Sequence, residues 1–261
     1  MRNPSRSRSV RWLAAMLVGL GLLVVPQAAS AAPKACGTWN PSVQDAHDMY
    51  LKNAARGQVY GADAQITVQS STLCPGGVTG VRPNDNFANA YSMVYSPALQ
   101  GNPNEAGWMQ TGYELDQNYT TVDFAQRFEG IAGTTPLTWY GATHRTAGQS
   151  PDYTSDYESS CACLRGYVDG TVVSQTTTFN PLTVWGTSGW GVEFASESLY
   201  SDSDIPGTTS ARVDYYASYL NSSFSWTLPD STFFTGEDDY SQHWGLAKPA
   251  NNHLQTWTIN P

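Results

Sequence analysis

Two pairs of residues in this 261-residue chain have the types that hydrolytic chemistry needs. The first is Gln110 in "GWMQTGYE" with Glu193 in "WGVEFASE". The second pair is Glu193 with Glu197. Four residues apart on a strand, these two point the same way at ~13 Å. That exceeds the ~5–9.5 Å of carboxylate pairs that hydrolyse glycosidic bonds. This strand alone therefore disfavours a two-carboxylate mechanism, and either acid would need a partner on a neighbouring strand, such as Glu114.

Other catalytic constellations are not supported. His47, His144, His243 and His253 are dispersed, with no H-E-x-x-H, and "GTSGWG" at 186–191 misses the G-x-S-x-G elbow. "SDSD" at 201–204 and "GEDD" at 236–239 offer oxygen ligands but lack the spacing of an EF-hand. No metal and no cofactor is expected.

Aromatic side chains supply the means of binding. Trp108, Trp139, Trp185 and Trp190 fall around the same group of strands. Sugar rings stack on such faces through their C–H groups while nearby polar groups take the hydroxyls. Trp190 shares a strand face with Val192 and Phe194 and reads as core; Trp108 lies beside Gln110 and Glu114 and does not. The expected binding set is Trp108, Glu114, Trp139, Tyr140 and Glu197.

The elements that must hold these residues are strands. Thr, Tyr, Trp, Val and Ser recur, punctuated by Gly, Pro, Asn and Asp. "AQITVQS" (64–70) alternates. "FANAYSMVYS" (87–96) puts Phe87, Tyr91, Met93 and Tyr95 on one face. "GWMQTGYEL" (107–115) sets Met109, Tyr113 and Leu115 against Trp108, Gln110, Gly112 and Glu114. "VDFAQRFEGI" (122–131) and "LTWYGATH" (137–144) follow. "RGYVDGTVV" (165–173) reads as a hairpin turning at Asp169-Gly170. In "WGVEFASESL" (190–199), Glu193, Ala195 and Glu197 oppose the apolar Trp190, Val192 and Phe194. "ARVDYYASYL" (211–220) and "HLQTWTI" (253–259) complete the set, and 221–252 reads as long loops. One short N-terminal helix is expected, with Asn40 as cap, Pro41 in the first turn and a stripe of Val43, Ala46, Tyr50 and Ala54 up to Gly57. The pattern predicts an all-β fold, an antiparallel β-sandwich or jelly roll.

The N-terminus carries Arg2, Arg6, Arg8 and Arg11, then an apolar run from Trp12 to Val25, Pro26 and the small residues Ala29-Ser30-Ala31. That is the layout of a cleavable secretory signal over 1–31. The expected organisation is this signal, then a segment 32–80 packed on the core, then a sandwich over 81–261. Residues 32–261 keep nine basic against 22 acidic residues, a net charge of −13. This argues against nucleic acid and anionic membranes as partners. After cleavage the chain is expected to be a secreted, extracellular monomer free of the membrane. Cys36, Cys74, Cys161 and Cys163 are even in number, which in an exported chain predicts two disulfides. Cys36 and Cys74 each crossing to the 161/163 pair is the favoured arrangement, because a bridge across Cys161-Ala162-Cys163 would be strained.

The succession "WMQTG", "LTWYGA", "WGVEF" and "ARVDYY" resembles the motif order of the eqolisin (glutamic) peptidases, over roughly 86–220. The resemblance implies a concanavalin A-like sandwich with Gln110 as the oxyanion-stabilising amide and Glu193 as the general base. The N-terminal extension and the tail after 221 lack a visible counterpart. "RGYVDGTVV" with "FASESLYSDSDIPGTTSARVDY" is similar to secreted actinobacterial proteins that carry a concanavalin A-like lectin/glucanase sandwich, which supports fold and habitat rather than a reaction. The first expectation for function is a secreted sandwich binding an extracellular polymer, most readily a polysaccharide. The alternative is an acid-active Gln/Glu endopeptidase acting on polypeptide.

Overall fold

The computed structural model describes residues 47–52, 59–73, 87–96, 107–116, 121–129, 137–176, 180–184, 190–198, 204–231, 235–238 and 244–259. The chain divides into two units, Met1–Ala31 and Ala32–Pro261, and all the described residues belong to the second.

Two antiparallel sheets account for about two-thirds of them. The strands, in chain order, are β1 (His47–Lys52), β2 (Gly61–Ile66), β3 (Phe87–Tyr95), β4 (Gly107–Asp116), β5 (Thr121–Glu129), β6 (Leu137–His144), β7 (Asp152–Glu158), β8 (Cys163–Val168), β9 (Thr171–Gln175), β10 (Gly191–Ser198), β11 (Val213–Leu220), β12 (Trp226–Thr227), β13 (Thr235–Asp238), β14 (Trp244–Ala250) and β15 (His253–Thr258). One four-residue helix, α1 (Pro181–Val184), lies between β9 and β10. The first sheet has the order β13-β1-β10-β3-β4-β5-β6; the second has β14-β15-β11-β2-β7-β8-β9, with β12 pairing on β11. This is the antiparallel sandwich that the alternating pattern predicts.

The core lies between the sheets. From the first sheet it takes Ala90, Val94, Met109, Tyr113, Val192 and Phe194; from the second, Ala62, Ala64, Ile66, Tyr153, Leu164, Val213, Tyr215 and Ala217. Trp190 is fully buried among them, as its strand pattern requires. Hydroxyls also bridge the layers. Ser92 Oγ donates to the Tyr153 carbonyl at 2.8 Å, and Tyr215 OH donates to the Ala195 carbonyl at 2.8 Å. Where β4 and β8 face each other, a Cβ on Gly166 would stand 2.8 Å from Thr111 Cγ2, so glycine permits the close approach.

Three expectations need correction. The N-terminal helix is not formed at 47–52. These residues are strand β1, with backbone partners on both sides, β10 and β13. Satisfying both edges of the segment overrides the helical stripe and the cap. Residues 40–46 and 53–57 of that expected helix lie outside the described residues. The second correction concerns 221–252, which holds β12, β13 and β14 rather than loops alone. Strand β14 hides its period because Pro249 falls within a register shift between Ala247 and Ala250, on an edge where proline is tolerated.

The third correction is the disulfide. Cys161 and Cys163 are bonded to each other, with Cα atoms 5.2 Å apart, and do not cross to the N-terminal segment. Ala162 between them takes a left-handed φ of 52°, which lets the three-residue link reverse on itself. Cys36 and Cys74 lie outside the described residues.

One central strand escaped the sequence pattern. β7 pairs with β2 and β8, and its Tyr153, Ser155 and Tyr157 point inward in strict alternation. The hairpin after it forms as expected: Asp169 and Gly170 have φ of 48° and 72°, the two positive values of a type I′ turn.

Candidate functional site

The outward face of the first sheet carries an open cavity of about 450 Å³. Its floor is a grid set by strand register. One row runs from Glu193 (β10) through Met93 (β3), Gln110 (β4) and Gln126 (β5) to Thr138 (β6). The next row runs Ala195, Tyr91, Gly112, Phe124, Tyr140, and the one beyond it begins Glu197, Asn89, Glu114. Side chains alternate across a strand, so these rows share one side of the sheet while Met109, Thr111, Tyr113, Val192 and Phe194 point into the core.

Within the floor, Tyr91, Met93, Tyr95, Phe124 and Ala195 form a small apolar cluster with Trp108 packed against it. This cluster fixes the polar residues and removes their surroundings from water. Gln110 and Glu193 are each 6% exposed and Glu114 is 8% exposed. Tyr91 OH donates to Glu193 Oε1 at 2.7 Å, a short charge-assisted bond that orients the carboxylate. Gln110 Nε2 donates to Gln126 Oε1 at 2.8 Å. That bond uses one of the two N–H groups of the amide and holds its plane. Gly112, between Gln110 and Glu114, has no room for a Cβ, which would collide with the Ala90 carbonyl. Its bare backbone keeps the middle of the floor low.

Six of the seven residues singled out from sequence line this cavity: Trp108, Gln110, Glu114, Tyr140, Glu193 and Glu197. The seventh, Trp139, is a correction. It sits between Thr138 and Tyr140 on β6, so it points the other way and packs against the core between the sheets. Trp108 is partly committed as well, stacking on Phe128 with ring centroids 4.6 Å apart. Tyr140 is 54% exposed. Trp185 lies outside the described residues.

Sequence reasoning missed Asn89, Tyr91, Gln126 and Thr138 as lining residues. Tyr91 had been placed on one face of its strand, but nothing local says that this face continues the Gln110 face. That information resides in the pairing of β3 with β4. Among the described residues no three His, Cys, Asp or Glu side chains converge to hold a metal ion. Asp204 of "SDSD" is buried, and 201–203 lie outside the described residues.

A second cleft, about 420 Å³, opens on the outward face of the second sheet, lined by Asp63, Asp152, Thr154, Asp156, Tyr167, Ser218 and Trp226 among others. Thr154 Oγ1 and Ser218 Oγ donate to the two oxygens of Asp63 at 2.7 and 3.0 Å. Burial pushes Asp156 up to about 7, with Glu158 and Asp63 adding to the effect and Arg165 opposing it. Burial and the neighbouring Asp63 raise Asp152 to about 6.

No protein-family model matches the sequence, and no curated protein is significantly similar to it. The fold does have solved counterparts. The structure is similar to scytalido-glutamic peptidase bound to a peptide-based transition-state analogue, with a TM-score of 0.52 and 12% identity over 82% of this chain and 99% of that one. A second structure of the peptidase, with a transition-state analogue inhibitor, gives 0.51 and 10% over the same shares. SCLam, a non-specific endo-β-1,3(4)-glucanase of family GH16, is similar at a TM-score of 0.39 and 12% identity, over 57% of this chain and 52% of that one. At such identities the likeness is one of fold. Its reach over 82% of the chain corrects the expectation that 86–220 alone has a counterpart.

Proposed function

We propose that this protein is a hydrolase of the Gln/Glu type that cleaves polypeptide lying in the cavity of the first sheet. One observation carries the reading: Glu193 and Gln110 stand in the same row of the same floor, separated only by Met93. Their Cα atoms are therefore two strand spacings apart, ~10 Å. Both side chains line the one open cavity with Met93 between them, and its volume has room for a carbonyl group and a water. The carboxylate of Glu193 takes a proton from the water as its oxygen bonds to the carbonyl carbon. The carbonyl π electrons move to oxygen, and the resulting oxyanion receives a hydrogen bond from the Gln110 amide. Collapse of the tetrahedral centre breaks the C–N bond, and Glu193 returns its proton to the leaving nitrogen. The products are an acid and an amine, and the carboxylate is regenerated.

This reverses the order of preference reached from sequence. The polysaccharide reading drew on an aromatic and polar face to which Trp108, Trp139 and Tyr140 were to contribute the rings. With Trp139 turned inward and Trp108 stacked on Phe128, Tyr140 is left as the exposed ring of the three. The similarity in fold to a glutamic peptidase is consistent with the hydrolase reading. We place the activity outside the cell, in the chain that remains after removal of residues 1–31.

The test is to offer the 32–261 protein a peptide library and a polysaccharide array together, at acid and at neutral pH. Cleavage of peptides, with an optimum on the acid side, is the expected result. Retention on polysaccharide without any peptide cleavage would replace this reading with the binding one.

A further inference from the structure

The outward face of the second sheet has what the first cavity lacks for binding sugar, an open aromatic ring set among polar groups. Its cleft of about 420 Å³ falls within the ~300–1,000 Å³ usual for small-ligand sites. Strand register lays out the floor. Ser218 (β11), Asp63 (β2), Thr154 (β7) and Tyr167 (β8) stand in one row. The adjoining row runs from Trp226 (β12) through Leu220 and Gly61 to Asp156. A Cβ on Gly61 would stand 2.6 Å from Asp156 Cβ and 3.2 Å from Leu220 Cβ, so glycine keeps the floor low between Trp226 and Asp156. From Trp226 to Tyr167 is four strand spacings, ~19 Å, which suits several linked sugars better than one.

Trp226 is 45% exposed, and among the described residues no other ring stacks on it, whereas Trp108 is held by Phe128. Such a ring at the edge of a polar cleft is a platform for the C–H face of a pyranose. Its neighbours are set to take hydroxyls. Thr154 Oγ1 and Ser218 Oγ give their protons to Asp63, at 2.7 and 3.0 Å, which leaves each of them as an acceptor. Asp156 Oδ1 is buried with no hydrogen-bond partner. An unpaired buried oxygen is costly, and rotation of this carboxyl, which lines the cleft, can bring it to a ligand hydroxyl. Holding its proton up to about pH 7, the carboxyl can donate as well as accept, as a sugar hydroxyl can. A cation fits less well. Among the described residues no three metal-ligating side chains converge, and Arg165 stands in register with Asp156 and already supplies positive charge there.

We propose that this cleft binds neutral sugar residues of a polysaccharide, with Trp226 under a ring and Ser218, Thr154 and Asp156 taking hydroxyls. The site is separate from the proposed hydrolysis, since none of its residues lines the cavity of the first sheet. It anchors the protein to a glycan and leaves the other face open to polypeptide.

The experiment adds neutral hexasaccharides of glucose, xylose, mannose and N-acetylglucosamine, each in turn, to the purified protein under titration calorimetry. At least one should bind saturably. Trp226→Ala should weaken that binding about tenfold or more. If this variant does not fold, hydroxyl-radical footprinting of the wild type answers the same question: oxidation of Trp226 and Tyr167 should fall severalfold when the sugar is added. Binding of none of the sugars would overturn the assignment, as would unchanged oxidation of Trp226 with sugar bound. Affinity lost in Tyr140→Ala but kept in Trp226→Ala would also overturn it, by putting the sugar on the first sheet. So would capture of N-acetylarginine amide, a cationic probe, in place of every sugar. Peptide hydrolysis is measured apart, and its absence bears on the Glu193 reading and not on this cleft.

Discussion

The two outward faces of the sandwich carry similar numbers of carboxylates and treat them in opposite ways. On the first sheet, Glu193 and Glu197 sit four residues apart on β10, with Glu114 two strands away. The Tyr91 hydroxyl donates to Glu193 and the Asn89 amide donates to Glu197. On the second sheet, Asp63 lies opposite Thr154, so Asp152 and Asp156 are its diagonal neighbours at ~7 Å. Both available hydroxyl donors go to Asp63, and Asp156 Oδ1 is buried without a hydrogen bond. The consequence is that Asp152 and Asp156 hold their protons to about pH 6 and 7. The spaced carboxylates are the ones that the proposed hydrolysis draws on. Crowded ones make the fold sensitive to pH.

Substitutions that should leave one face's behaviour intact while removing the other's test this contrast. The largest effect is expected at Gln110→Ala. Losing one donor to the oxyanion lowers kcat by roughly 10²–10³, about 3–4 kcal/mol of barrier, as peptide hydrolysis kinetics would show. Thermal unfolding should change little by comparison, because Gln110 bonds another side chain on the floor rather than the core.

The pH dependence of stability comes next. Asp152 and Asp156 have folded-state values above the ~3.9 of an unfolded Asp, so the folded chain binds more protons over that interval. Their favourable protonated state is fully present below about pH 4 and is lost as pH rises through about 6 and 7. The melting temperature should therefore fall between pH 4 and pH 8. Asp156→Asn, which keeps the neutral form, should flatten the fall by on the order of 3 kcal/mol and leave turnover unchanged.

Tyr91→Phe is intermediate. It removes the 2.7 Å bond to a nearly buried carboxylate, worth about 2 kcal/mol, and turnover should drop ~10–30-fold with a matching loss in stability. The smallest effect is at the disulfide. Replacing Cys161 and Cys163 together by Ser should cost about 1.5 kcal/mol, because a three-residue link restrains the unfolded chain little. Denaturant titration measures it directly.

Much of the first sheet was legible in the sequence because its strands alternate strictly. "GWMQTGYEL" and "WGVEFASES" state which side chains share a face, and those faces are the ones observed. What a single strand cannot state is its neighbour. Tyr91 and Asn89 become part of the site through register with β10 and β4, a contact over a hundred residues along the chain in the case of Tyr91 and Glu193. Trp139 shows the reverse error. It is adjacent to Tyr140 in sequence and was grouped with it, although adjacency in a strand puts two residues on opposite faces. β1 and β14 were misread because of prolines. β1 follows Pro41, which suits a first helical turn, and is made a strand by β10, far along the chain. β14 contains Pro249 and is made a strand by the adjacent β15. The crowded face of the second sheet went unseen because the inward side of β7 carries only Tyr153, Ser155 and Tyr157, a weak apolar signal for a buried strand.

The central claim is that Glu193 is the base for a carbonyl held against Gln110, and Glu193→Gln tests it most directly. Glutamine keeps the volume and can still accept the Tyr91 hydroxyl, so the melting temperature should move by no more than about 1 kcal/mol implies. Steady-state peptide hydrolysis by the variant, measured beside the wild type across the acid range, should fall by a factor of about 100 or more. Equal rates in the two proteins would contradict the account.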